Sequence, residues 1–132
     1  MQLLIVADAA RARFYTLDDE LDITGEVCDL VHPEARMRAG DIYEGDPGRG
    51  AGASTPSDRK EIAAEQFARS VAQEAASRAG TFERLHIAAP PKFLGQLRKA
   101  LDGSVERKVA STLAKDLTKV PAHDLGKMLR GR

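Results

Sequence analysis

The segment RLHIAAPPKFLGQL, residues 84–97, decides how the fold is read. Residues 84–89 form a short, almost continuous apolar run, the pattern of a strand buried on both faces. Pro90-Pro91 then stops the strand and opens a helix over residues 92–101, with Phe93, Leu94, Leu97 and Leu101 as its apolar stripe. Upstream, Ala63, Phe67, Val71 and Ala75 recur every four residues, with Ala64, Ala68 and Ala72 beside them. This predicts a helix with a small-residue face, opened by an Asp58/Glu61 capping box and closed by Gly80. That face can bury against the sheet or against a second subunit. A strand reached through a helical crossover runs parallel to its partner.

The partner strand is QLLIVA, residues 2–7, another continuous apolar run. Residues 10–17 then alternate, with Ala10, Ala12 and Phe14 on one side and Arg11, Arg13 and Tyr15 on the other. After the acidic turn DDELD at 18–22, a third strand is expected over 23–32, and short connections favour an antiparallel meander. Downstream, Val105, Val109 and Leu113 are spaced at four, which suits a strand or a helix, and residues 121–129 read as a short amphipathic helix. The order βββ-α-β-α-β-α implies a single α/β domain with a mixed five-stranded sheet, flanking helices and a ribonuclease H-like topology.

Between these elements, residues 33–57 keep no hydrophobic period and hold five of the 11 glycines. A loop of this length inside a compact domain is usually functional or disordered. Gly48, Gly50 and Gly52 form its flexible tip, and Arg36, Arg38 and Arg49 are its cations. The glycines do not leave a strand and enter a helix directly, so they make no dinucleotide fingerprint. No Lys-Ser/Thr pair follows them, so they make no P-loop either.

The 132 residues suit one domain, and the 20 basic and 20 acidic side chains cancel. That cancellation hides an asymmetry. Residues 1–58 carry five basic side chains against 12 acidic, a balance of −7, and residues 59–132 carry 15 against eight, a balance of +7. In the second part Lys92, Arg98 and Lys99, with Arg107, Lys108, Lys115 and Lys119, form either a solvated face or a stripe that contacts phosphates. Phe93 is the one aromatic residue near them, so base-specific reading of DNA is not expected.

The chemistry-bearing residues are sparse. A single cysteine, Cys28, excludes an intramolecular disulfide and reads as a small buried hydrophobe. Asp8 stands where a two-metal nuclease would place a carboxylate, but the second buried strand ends in Ala-Ala-Pro-Pro and offers no partner acid. Asp8 therefore reads as a turn residue bonding backbone amides, and neither metal nor cofactor is expected. His32, His86 and His123 have no ligand spacing and read as structural or surface groups, and no serine carries a nucleophile signature. The first residues lack a signal peptide's basic start, and no apolar run reaches membrane-spanning length. A cytoplasmic location without membrane insertion is the expectation.

Several segments together resemble the bacterial host attachment protein family: LLIVADAARARFYTL at the start, HPEAR at 32–36, DPGR at 46–49, EQFA at 65–68, APPKFLGQLR at 89–98 and KDLT at 115–118. The resemblance covers nearly the whole chain and implies an association with attachment to host cells, with no enzyme chemistry. That family is similar in turn to the middle domain of archaeal and eukaryotic peptide release factors, where a long Gly-rich loop precedes a long helix bearing a Phe-Ala pair. In that domain a Gly-Gly-Gln tip orders water for peptidyl-tRNA ester hydrolysis. Residues 48–54 here contain neither Gln nor a Gly-Gly pair, so the resemblance implies a loop that enters an RNA-rich site rather than a hydrolase. The expected function is a non-enzymatic, release-factor-like module associated with the ribosome or tRNA. Arg36, Arg38 and Arg49 would contact phosphate, with Lys92, Arg98 and Lys99 in support. The alternatives are a cytoplasmic interaction protein that supports attachment indirectly, and a peptidyl-tRNA ester hydrolase.

Overall fold

The computed structural model describes residues 1–31 and 56–130. Five strands, β1 (Gln2–Ala7), β2 (Arg11–Leu17), β3 (Ile23–Val31), β4 (Arg84–Ala88) and β5 (Val109–Leu113), form one mixed sheet in the order β3-β2-β1-β4-β5. Helices α1 (Pro56–Ser77), α2 (Pro91–Ala100), α3 (Gly103–Glu106) and α4 (Ala122–Arg130) flank it. β2 is antiparallel to both its neighbours, and β4 is parallel to β1 and β5. The expected single α/β domain with a mixed five-stranded sheet is therefore observed.

β1 lies at the centre of the sheet and all six of its residues are buried, as its unbroken apolar run requires. One face carries Leu3, Ile5, Ala12, Phe14, Leu85 and Ile87 and is covered by α1 and α2 through Phe67, Val71, Ala75, Phe93 and Leu97. Ala68, Ala72 and Ala75 are all buried, so the small-residue face of α1 is spent inside this domain. The rings of Phe67 and Phe93 stand 6.1 Å apart between the two helices. The other face carries Leu4, Val6, Tyr15 and Leu17, under Leu117 and the Leu125 and Leu129 side chains of α4. Each such leucine, removed from water, contributes about 2 kcal/mol before its ordering entropy is counted.

Several local expectations are corrected. The second strand begins at Arg11 rather than Ala10, because Asp8 Oδ1 accepts hydrogen bonds from the amides of Ala10 and Arg11, at 2.8 and 2.9 Å, and so closes a turn that includes Ala10. Tyr15, expected on a polar side, is buried because α4 makes that side a second core. α1 opens at Pro56, inside the expected loop, and stops at Ser77; Gly80 falls in a 3-10 turn at Ala79–Thr81. The ambiguous stretch near residue 105 is both things: Val105 is buried in the single turn of α3, and β5 starts four residues later. Cys28 is half-buried rather than buried, since β3 is an edge strand.

The last helix is fixed by a close approach. A Cβ on Gly126 would stand 2.8 Å from the Leu21 carbonyl oxygen and 3.2 Å from Asp22 Oδ1, so α4 meets the β2–β3 turn here only without a side chain. Leu21 itself holds a positive φ of 67°. Arg130 completes the joint through Asp22 and the Glu20 carbonyl.

Candidate functional site

Of the candidate phosphate-binding residues, Arg36, Arg38 and Arg49, with Gly48, Gly50 and Gly52, lie outside the described residues. The remaining three are exposed on α2. Lys92 Nζ stands 2.6 Å from Glu61 Oε2 on α1, and Arg98 donates to Glu106 of α3 at 3.0 Å. Lys99 makes no ion pair among the described residues. Exposed pairs of this kind are worth about 0–1 kcal/mol and exchange readily for a stronger anion. Lys108, in contrast, is structural: its ammonium donates to the carbonyls of Ala79 and Phe82, at 2.6 and 3.0 Å, and lies over the Phe82 ring.

The strand order separates the charges that the sequence balances. Residues 1–31, which build β1, β2 and β3, carry seven acidic side chains against two basic. Residues 84–119, which build β4, α2, α3 and β5, carry eight basic against three acidic. Each balance has magnitude five, with opposite sign, toward opposite edges of the sheet. Lys99 and Arg107 precede β5, and Lys115 and Lys119 follow it, all exposed.

Two carboxylate groupings are tied into the fold. Beyond its turn bonds, Asp8 has Oδ2 3.3 Å from the Thr118 hydroxyl, which donates to Asp116 Oδ1 at 2.6 Å. Asp8 is thus the turn residue its position suggests. Asp18, Glu20 and Asp22 place carboxylate oxygens within 4.8 Å of one another on the β2–β3 turn, where Arg130 already supplies a cation. Two further carboxyls sit below the usual carboxylate range. Glu83 is held there chiefly by the N-terminal ammonium, and Asp102 chiefly by the Ser104 hydroxyl at the start of α3.

The sheet also assembles a group that the sequence did not reveal. The Gln2 amide nitrogen donates to the Asp18 carbonyl at 3.1 Å, and its Oε1 lies 2.7 Å from His86 Nε2. His86 Nδ1 lies 2.7 Å from the Ser111 hydroxyl. Gln2 and His86 are buried, and Ser111 is half-buried on the edge strand. His86 is a satisfied core residue, as its isolation in sequence suggests, but it stands beside a serine 25 positions away. Register alone joins them: β4 pairs His86 with Leu4 on one side and with Ser111 on the other.

No described helix is long and apolar enough to cross a membrane. A search of curated proteins finds no match. The family model described as "protein required for attachment to host cells" matches residues 3–129, from β1 into the last turn of α4, and the chain belongs to that family.

Proposed function

We propose that this chain is a release-factor-like binding module of the host attachment family, acting in the cytoplasm on the ribosome or tRNA. The observation that carries the reading is the separation of charge toward opposite sheet edges, which gives the β4–β5 side a surplus of cations where the sequence as a whole has none. Phosphate would be met by Arg36, Arg38 and Arg49 of the glycine-rich segment 33–57. Lys99 would support them directly, and Lys92 and Arg98 by exchanging Glu61 and Glu106 for phosphate. The order β3-β2-β1-β4-β5, with β2 alone reversed, supports a ribonuclease H-like fold for this module. Contacts of this kind neutralise a backbone and read no base sequence.

The experiment is a capture of partners from lysate with and without ribonuclease. Ribosomal or transfer RNA lost on nuclease treatment supports the proposal; a partner set unchanged by nuclease rejects it. The family description favours a second reading, an interaction protein that supports attachment to host cells indirectly. Nuclease-resistant protein partners would point to it.

A further inference from the structure

With His86 neutral, the chain of hydrogen bonds from Asp18 to Ser111 runs in one direction. The Asp18 carbonyl oxygen only accepts, so Gln2 turns its amide nitrogen toward it and its carbonyl oxygen toward His86. An amide oxygen also only accepts, so the proton on a neutral His86 sits on Nε2. In that tautomer Nδ1 is the unprotonated nitrogen, and the Ser111 hydroxyl, 2.7 Å away, is placed to donate to it. A serine hydroxyl donating to an imidazole, whose other nitrogen is held by a fixed acceptor, is the arrangement that activates a serine nucleophile. Gln2 and His86 are buried, and Ser111 stands half-exposed beside them, on the outermost described strand of the sheet, where an acyl donor and then water can reach it.

We propose that Ser111 is a nucleophile, with His86 as its general base and Gln2 as a positioning residue, and that it accepts acyl groups from ester or thioester donors. In the step, Ser111 Oγ forms a bond to the acyl carbon while its proton passes to His86 Nδ1. The bond from that carbon to the leaving oxygen or sulfur breaks, and the departing alcohol or thiol takes the proton from Nδ1. Water repeats the sequence on the acyl-serine and releases a carboxylic acid. The inference stands apart from the binding proposal, because it uses the opposite end of the chemistry: a buried base rather than exposed cations.

The test is labelling of the full chain with a fluorophosphonate, whose fluoride leaves as the serine oxygen bonds to phosphorus, followed by peptide mapping. Ser70 and Ser77 are internal references, since their hydroxyls donate to the backbone carbonyls of Gln66 and Glu74 rather than to an imidazole. General-base assistance is worth about 100-fold or more, so Ser111 should be labelled at least that much faster than either reference. Its rate should rise with pH across the imidazole range, and His86→Asn should remove the excess while Ser111→Ala removes the adduct. Labelling of wild-type Ser111 no faster than Ser70 and Ser77 overturns the proposal, whether or not the variants fold. A rate indifferent to imidazole titration overturns it equally.

Discussion

Replacing either of two helical glycines by alanine should move stability in opposite directions, and the sign is set by what the new methyl group meets. At Gly126 the Cβ would stand 2.8 Å from the Leu21 carbonyl oxygen, 3.2 Å from Asp22 Oδ1 and 3.4 Å from Arg130 Nη1. The nearest of these is backbone, in a turn held at positive φ, and it cannot rotate away as a side-chain tip can. Alanine gains about 1 kcal/mol over glycine inside a helix, whereas forcing a methyl group into a filled contact costs about 1–3 kcal/mol. Gly126→Ala should therefore lose about 1 kcal/mol net, lowering the midpoint of thermal unfolding by about 3–6 °C for a chain of this size. At Gly95 of α2 a Cβ meets nothing within 4 Å, so Gly95→Ala keeps the helical gain and should raise the midpoint by about 2–5 °C. Thermal unfolding followed by circular dichroism measures both. Equal stabilisation by the two substitutions would refute the docking of α4 onto the β2–β3 turn.

Other outcomes follow from the same packing and from the shifted acids. Leu125, fully buried between α4 and Leu4, Tyr15 and Leu17, should cost about 2–5 kcal/mol as Leu125→Ala in a denaturant titration. The Cys28 thiol, raised above its ordinary value mainly by burial and secondarily by Glu74, should alkylate more slowly in the folded chain than after unfolding, at equal pH. For Asp102, the folded carboxyl titrates below its unfolded counterpart, so its contribution is present above the unfolded value and is lost as pH falls through the folded one. Asp102→Asn should lower stability across the neutral range and flatten its further fall below about pH 4, where the wild-type carboxyl is protonated.

The parts of the fold legible in sequence were those where one local pattern decides. The five consecutive apolar residues after Gln2 in β1 read as a strand buried on both faces, and Pro90-Pro91 ends one strand and starts a helix. Tyr15 was misplaced because alternation reports one covered face, and the cover on its other face is a helix more than 100 residues later. Residues 103–113 change from helix to strand within a few positions, so no single period fits them. The cations of α2 were found, but their partners were not. Glu61 comes from α1 and Glu106 from the far end of a turn, and only tertiary packing sets them beside Lys92 and Arg98. Gln2, His86 and Ser111 were invisible for the same reason. They lie on three strands and share a face only once the register is known, including the irregularity between Leu85 and His86.

The central claim is contact with phosphate by Arg36, Arg38 and Arg49 and the cationic sheet edge, and its most direct measurement is co-sedimentation with purified ribosomes across a salt series. The wild-type chain should pellet with ribosomes at low salt, and its affinity should fall as salt rises, with a slope of about −0.7 to −0.9 in log K against log salt for each phosphate neutralised. The variant carrying Arg36→Ala, Arg38→Ala and Arg49→Ala should bind more weakly and with a shallower slope. Absence of binding at low salt, or binding unchanged in that variant, would contradict the account.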